Sequence, residues 1–141
     1  MPARKGSAEW QGGLKDGRGT VEVGDGVFSG SYSFGSRFEE GGGTNPEELI
    51  GAAHAACFSM AFAAGLEKAG HKAERVATTA NVHLEKGEGG FAIGRIVLDT
   101  EGTVPGIDEG TFQSEAVKAG ENCPVSKALA GTQIDLKATL V

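Results

Sequence analysis

The chain has 141 residues, a formal net charge of −6, and 24 glycines against only 6% aromatic residues. An acidic chain lacks the basic patch that nucleic-acid phosphates demand, so nucleic acid is excluded as a partner. Two cysteines are too few for a disulfide scaffold, and a core built of Ala and Gly buries little area per residue, so an oligomer is expected, most simply a two-fold dimer.

At this length one domain over residues 1–141 is the simplest organisation. The first residues, MPARKGSAEW, carry no apolar signal region, and a cytoplasmic location is expected. AEW, GTVEVG and GVFSGSYSF alternate with period two between glycines and predict three strands, with a hairpin turn at Asp25-Gly26. Within SRFEEGGG, the Glu-Glu-Gly-Gly-Gly run reads as a flexible loop. Thr44-Asn45-Pro46 is a helix start, with Pro46 in the first turn, Thr44 or Asn45 as cap, and capping-box spacing from Thr44 to Glu47.

The predicted helix runs from about Pro46 to Ala69 and stops at Gly70. Its stretch LIGAAHAACFSMAFAAGL, Leu49 to Leu66, is 18 residues without a charge. That length reaches the minimum for a membrane span. The Ala/Gly composition, with His54 and Ser59 in the middle, argues instead for a helix buried on every side, between layers or between subunits. Strands near Thr78–Lys86 and Phe91–Thr103, a turn at Pro105-Gly106, a helix near Asp108–Ala119, a short helix from Cys123-Pro124 and a strand over Thr132–Val141 complete an α+β pattern.

The two thiols occupy different settings. Cys57 lies mid-helix, where an unpaired cysteine is ordinarily a small apolar filler. Reactivity there needs a thiolate, and a thiolate in an apolar site needs a cation. No Lys or Arg lies between Glu48 and Glu67, so the cation must come from elsewhere; Arg37 is the best candidate, with Arg18 and Lys15 as competitors. Cys123 sits at a helix start, where backbone N–H groups favour negative charge and lower its pKa. A Cys57–Cys123 disulfide would close a loop of about 66 residues and, in a reducing compartment, would cycle rather than persist. Glu47 either favours the helix dipole as a first-turn acid or holds Arg37 in a bidentate pair. His54 and Cys57 share ligand spacing, but His71 and His83 fall in unrelated segments, so no metal is expected and His54 reads as a packed or hydrogen-bonded core histidine.

Taken together these segments resemble the OsmC family of thiol peroxidases related to organic hydroperoxide reductases. TNPEELIGAAHAACFSMA (Thr44–Ala61) looks like the helix carrying that family's attacking cysteine, NCPVS (Asn122–Ser126) like its second-cysteine motif, SFGSRFE (Ser33–Glu39) like the arginine loop of the OsmC branch, and VPGID (Val104–Asp108) like a further family segment.

The resemblance implies an intertwined homodimer with antiparallel sheets around the long cysteine-bearing helix. It implies Cys57 as attacking and Cys123 as resolving cysteine, with Arg37 and Glu47 as active-site arginine and carboxylate. It also implies reduction of organic hydroperoxides in oxidative and osmotic stress defence, without metal or bound cofactor. A dithiol reductant restores the thiols, and a lipoyl-type dithiol is compatible with the family. The apolar side chains Phe58, Met60 and Phe62 would favour alkyl hydroperoxides. Glu47 and Cys57 are roughly 15 Å apart along one helix, so the carboxylate should act through Arg37 or come from the partner, which predicts composite sites at the dimer interface. The alternative is an apolar-ligand or acyl-chain binding module with structural cysteines.

Overall fold

The computed structural model describes all 141 residues, and the chain divides into two compact units, Met1–Leu49 and Ile50–Val141.

In the first unit, β1 (Gly6–Gln11), β2 (Arg18–Val23) and β3 (Phe28–Tyr32) form an antiparallel sheet in the order β1-β2-β3. The β2–β3 hairpin turns at Gly24–Val27, around the anticipated Asp25-Gly26. A short helix that the sequence reading did not anticipate, α1 (Phe34–Phe38), precedes the Glu-Glu-Gly-Gly-Gly run, which is itself neither helix nor strand. The cause is local. Ser33 accepts from the Ser36 N–H while the Ser36 hydroxyl accepts from the Ser33 N–H, a reciprocal cap. Ser36 Oγ also donates to the Thr44 carbonyl at 2.7 Å, and Asn45 Nδ2 donates to the Ser36 carbonyl at 2.8 Å. The glycines after α1 are therefore tied down; Gly43, at φ 104°, adopts a conformation side-chain-bearing residues avoid, and so lets the Thr44 N–H return to Ser31.

Helix α2 (Pro46–Lys68) starts where the sequence indicates. Asn45 is the cap, its Oδ1 accepting from the Glu48 N–H at 2.8 Å. The Thr44–Glu47 capping box does not form: Thr44 Oγ1 donates to Glu48, and Glu47 is engaged by Arg37. At the other end the His71 N–H closes onto the Leu66 carbonyl.

In the second unit, β4 (Arg75–Gly87) and β5 (Gly90–Thr103) make a long antiparallel hairpin with a bulge at His83/Leu84. After α3 (Glu109–Asn122) and α4 (Pro124–Ala128), β6 (Gln133–Leu140) joins β5 in parallel. That strand departs from the all-antiparallel expectation because two helices, rather than a turn, link it to its neighbour. The α2 side chains His54, Phe58, Phe62 and Leu66 recur every four residues and are all fully buried. Phe62 lies 5.7 Å from Phe58 and 5.1 Å from Phe112 of α3, ring centre to ring centre. Ile96 and Leu98 of β5 complete the core. Gly51 lets α2 approach β4: a Cβ there would stand 3.1 Å from the Ala80 carbonyl oxygen. Ser59 ties the helix to the sheet through Thr78 at 2.8 Å, and Thr78 meets Thr100 at 2.9 Å.

The core is thus less dependent on Ala and Gly than composition suggested, since three phenylalanines occupy its centre. The expectation that α2 is buried on every side does not hold within one chain. Ala52, Ala53, Ala56, Met60 and Ala64 are exposed, and only 28% of the apolar window is covered. Length and composition would let this helix cross a membrane, but its aromatic face is the core of the second unit.

Candidate active site

The structure gathers the site residues of the sequence into two pairs. In the first unit, Arg37 stands in the last turn of α1, not on an open loop, and points both Nε (3.0 Å) and Nη2 (2.9 Å) at Oε1 of Glu47. This differs from the expected bidentate fork, because one carboxylate oxygen takes both donors while Oε2 is buried without a partner. Arg37 is also stacked over the Phe38 ring at 5.4 Å. The α1 cap and the Asn45–Ser36 bond fix the two elements that bring these side chains together.

In the second unit, Cys57 and Cys123 meet, 66 residues apart in sequence, and approach to 3.1 Å as free thiols. Cys123 is fully buried and caps α4, with Pro124 in its first turn, as its sequence setting suggested. Its sulfur accepts from the Ser126 N–H at 3.5 Å. Burial works against its ionisation, but hydrogen bonds from the Ser126 backbone, the Cys57 thiol, the Ser126 hydroxyl and the Val125 backbone outweigh burial and lower its pKa. Cys57 is half-buried. Burial raises its pKa, the Val125 N–H opposes that, and the adjacent Cys123 sulfur raises it further.

No cation is among the causes of either thiol's shift. Cys123 is therefore the more acidic thiol of the pair, and Cys57 is the more accessible.

Two residues that the sequence quoted without a role belong to this site. Val125 supplies a backbone donor to Cys57, and Ser126 supplies donors to Cys123. The signal for them was present, since Ser126 is the third residue after a capping Cys123. His54 is a fully buried, hydrogen-bonded core histidine as expected, its Nε2 2.8 Å from Ser126 Oγ. Of the apolar side chains expected around the thiol, Phe58 and Phe62 belong to the core cluster against which Cys57 packs. Both phenylalanines are fully buried in the core and Met60 is exposed. Lys15 lies over the Phe34 ring at 6.0 Å, and neither it nor Arg18 pairs with Glu47.

Comparison with known proteins agrees with these arrangements. The sequence pattern of the OsmC-like protein family matches residues 39–138. Peroxiredoxin OsmC of Escherichia coli is 52% identical over 127 residues, covering 89% of each chain. An organic hydroperoxide resistance protein of Xanthomonas axonopodis pv. citri is 38% identical over 71% of this chain and 68% of its own. Among solved structures, an organic hydroperoxide resistance protein OsmC of Legionella pneumophila superposes with a TM-score of 0.75 at 30% identity, covering 99% of this chain and 98% of the other. With a family pattern running from the end of α1 to the last strand, and a relative sharing half its residues, this chain belongs to the OsmC family.

Proposed function

We propose that the protein is a two-cysteine thiol peroxidase that reduces organic hydroperoxides to alcohols in bacterial stress defence, with residues 1–141 acting as one OsmC-like domain. The observation that carries the reading is the approach of two reduced cysteines to 3.1 Å. A structural staple would be joined, with sulfurs about 2.05 Å apart; two thiols held just short of bonding suit a pair that opens and closes. The relatives named for peroxiredoxin activity and for organic hydroperoxide resistance support the reaction class.

In this reading the Cys57 thiolate attacks the outer oxygen of the hydroperoxide. The O–O bond breaks, the alkoxide takes a proton and leaves as alcohol, and Cys57 becomes a sulfenic acid. Cys123 attacks that sulfur, water leaves, and a disulfide forms; a dithiol, of which a lipoyl type is one candidate, reduces it by exchange. Cys57 needs a cation to ionise. Arg37, held by Glu47, is the group suited to supply it, and it also stabilises charge on the leaving oxygen.

The exposed face of α2, Ala52, Ala53, Ala56, Met60 and Ala64, carries no charge and is suited to a second copy of the same helix. Two such helices packed antiparallel about a two-fold would bring the Arg37–Glu47 pair of one subunit to Cys57 of the other. The homodimer would then both cover that face and complete two composite sites. A cytoplasmic location fits a disulfide that must be reduced in each cycle.

The test is intact mass after one equivalent of cumene hydroperoxide. Wild type should lose two hydrogens, and Cys123→Ser should retain one extra oxygen. An unchanged mass in both proteins would defeat the peroxidase reading and leave the apolar-ligand module as its replacement.

A further inference from the structure

His54 is fully buried, yet the thiol chemistry above assigns it no part. Its Nε2 is 2.8 Å from Ser126 Oγ, and its Nδ1 is buried with no partner. Burial keeps the ring neutral by pushing its pKa below the ordinary 6.5, so one nitrogen carries the proton. A buried N–H without an acceptor is a rarer and costlier orphan than a buried lone pair, which puts the proton on Nε2. Ser126 Oγ then accepts from His54, and its own hydrogen is free to donate. Left alone, a helical serine turns its hydroxyl toward a carbonyl of the preceding turn; the His54 N–H directs it instead toward the Cys123 sulfur, which the Ser126 backbone N–H already reaches at 3.5 Å.

We propose that His54 and Ser126 are positioning residues for the resolving step, a buried His54→Ser126→Cys123 relay that holds Cys123 as the nucleophile for the Cys57 sulfenic acid. Neither residue touches substrate. Their contribution is two neutral donors at a sulfur that burial would otherwise keep protonated. The step remains balanced: the Cys123 sulfur pair forms the S–S bond, the Cys57 S–O bond breaks, and the departing hydroxide takes the proton that Cys123 lost, giving water. The inference rests on the two-cysteine reading, and it weighs on the two half-reactions unequally, because the relay donates to Cys123 directly and reaches Cys57 only through that sulfur.

The experiment is stopped-flow oxidation by cumene hydroperoxide with Cys57 oxidation and disulfide closure followed separately, together with thiolate absorbance of Cys123 titrated in a Cys57→Ser background. A hydrogen bond to a charged group justifies about a tenfold or larger slowing of closure in Ser126→Ala, with Cys57 oxidation changed by less than closure and the Cys123 pKa raised. His54→Leu should do the same. His54→Gln, whose side-chain amide can donate from nearly the Nε2 position, should restore both readouts, a rescue that a packing role would not produce. Should His54→Leu fail to fold, Ser126→Ala and Ser126→Thr, which keeps the hydroxyl, carry the same comparison. Closure at the wild-type rate in Ser126→Ala, or equal slowing of both steps, would overturn the relay. Failure of the wild type to close any disulfide would instead defeat the two-cysteine reading, while the Cys123 titration still reports on the relay.

Discussion

The two thiols touch, yet they are governed by opposite ends of helix physics. Cys57 lies in the middle of α2, where its own helix has already used every nearby backbone N–H. Cys123 caps α4, whose first N–H groups are free to donate to it. The same apolar interior that raises the pKa of Cys57 is overcome at Cys123 by the donors of Val125 and Ser126. A thiol at a helix start can be tuned by the backbone beside it, whereas a thiol in mid-helix must borrow its charge. In the proposed mechanism Arg37, held by Glu47, is the group that lends that charge to Cys57.

The strongest way to break this contrast is Arg37→Met. Loss of a preorganised charge should slow Cys57 oxidation by about 100-fold or more, leaving the Cys123 titration in place; equal losses at both thiols would show that the arginine serves the pair. A mixture tests the composite site. Arg37→Met and Cys57→Ser subunits, each inactive alone, should regain activity when unfolded together and refolded, since each heterodimer would hold one Cys57 facing one intact Arg37. No recovery, with heterodimers shown by native mass spectrometry, would place arginine and thiol in the same subunit.

A smaller effect concerns acid stability. The unfolded chain protonates His54 near pH 6.5, the folded chain only at lower pH because of burial. Between those values the unfolded state binds more protons, so stability should fall as pH drops below about 6.5, at no more than roughly 1.4 kcal/mol per pH unit. Thermal melts from pH 7 to pH 5 should show this slope in wild type and lose it in His54→Gln. Asp108 and Asp135, whose pKa values are lowered by hydrogen bonds from Thr111 and Arg95, add their own losses only in the carboxylate range below that window. Smallest is Asn45→Ala, which removes the α2 cap and should cost about 1 kcal/mol in urea denaturation, with a further fall in Cys57 reactivity if the Glu47 end of the helix must stay ordered.

Much of the scaffold can be read from the sequence because its signals are local. Period-two strands, the Asn45-Pro46 start, the helix near Asp108–Ala119 and the Cys123-Pro124 start all formed. Local signals also competed. Thr44 and Glu47 had capping-box spacing, but Glu47 pairs with Arg37, whose full charge outbids a backbone N–H. Phe34–Phe38 became a helix because Ser33 and Ser36 cap each other, a pattern hidden beside three glycines.

By itself, then, the sequence determined the element order, the start of the long helix, the different settings of the two thiols, and a family resemblance that the relatives bear out. Only the tertiary structure decided that Cys57 and Cys123 touch, that Phe58 and Phe62 face the core, and that His54 reaches Ser126. The reason is physical. Hydrophobic period and capping act over three or four residues, so they specify an element and its ends. An α2 stretch apolar on all sides gives them no contrast to report, and the choice of buried face falls to side-chain size, as the large residues at 54, 58, 62 and 66 fill the core and the alanines remain outside. Contacts across 66 or 72 residues depend on how strands and helices stack, which no local pattern encodes.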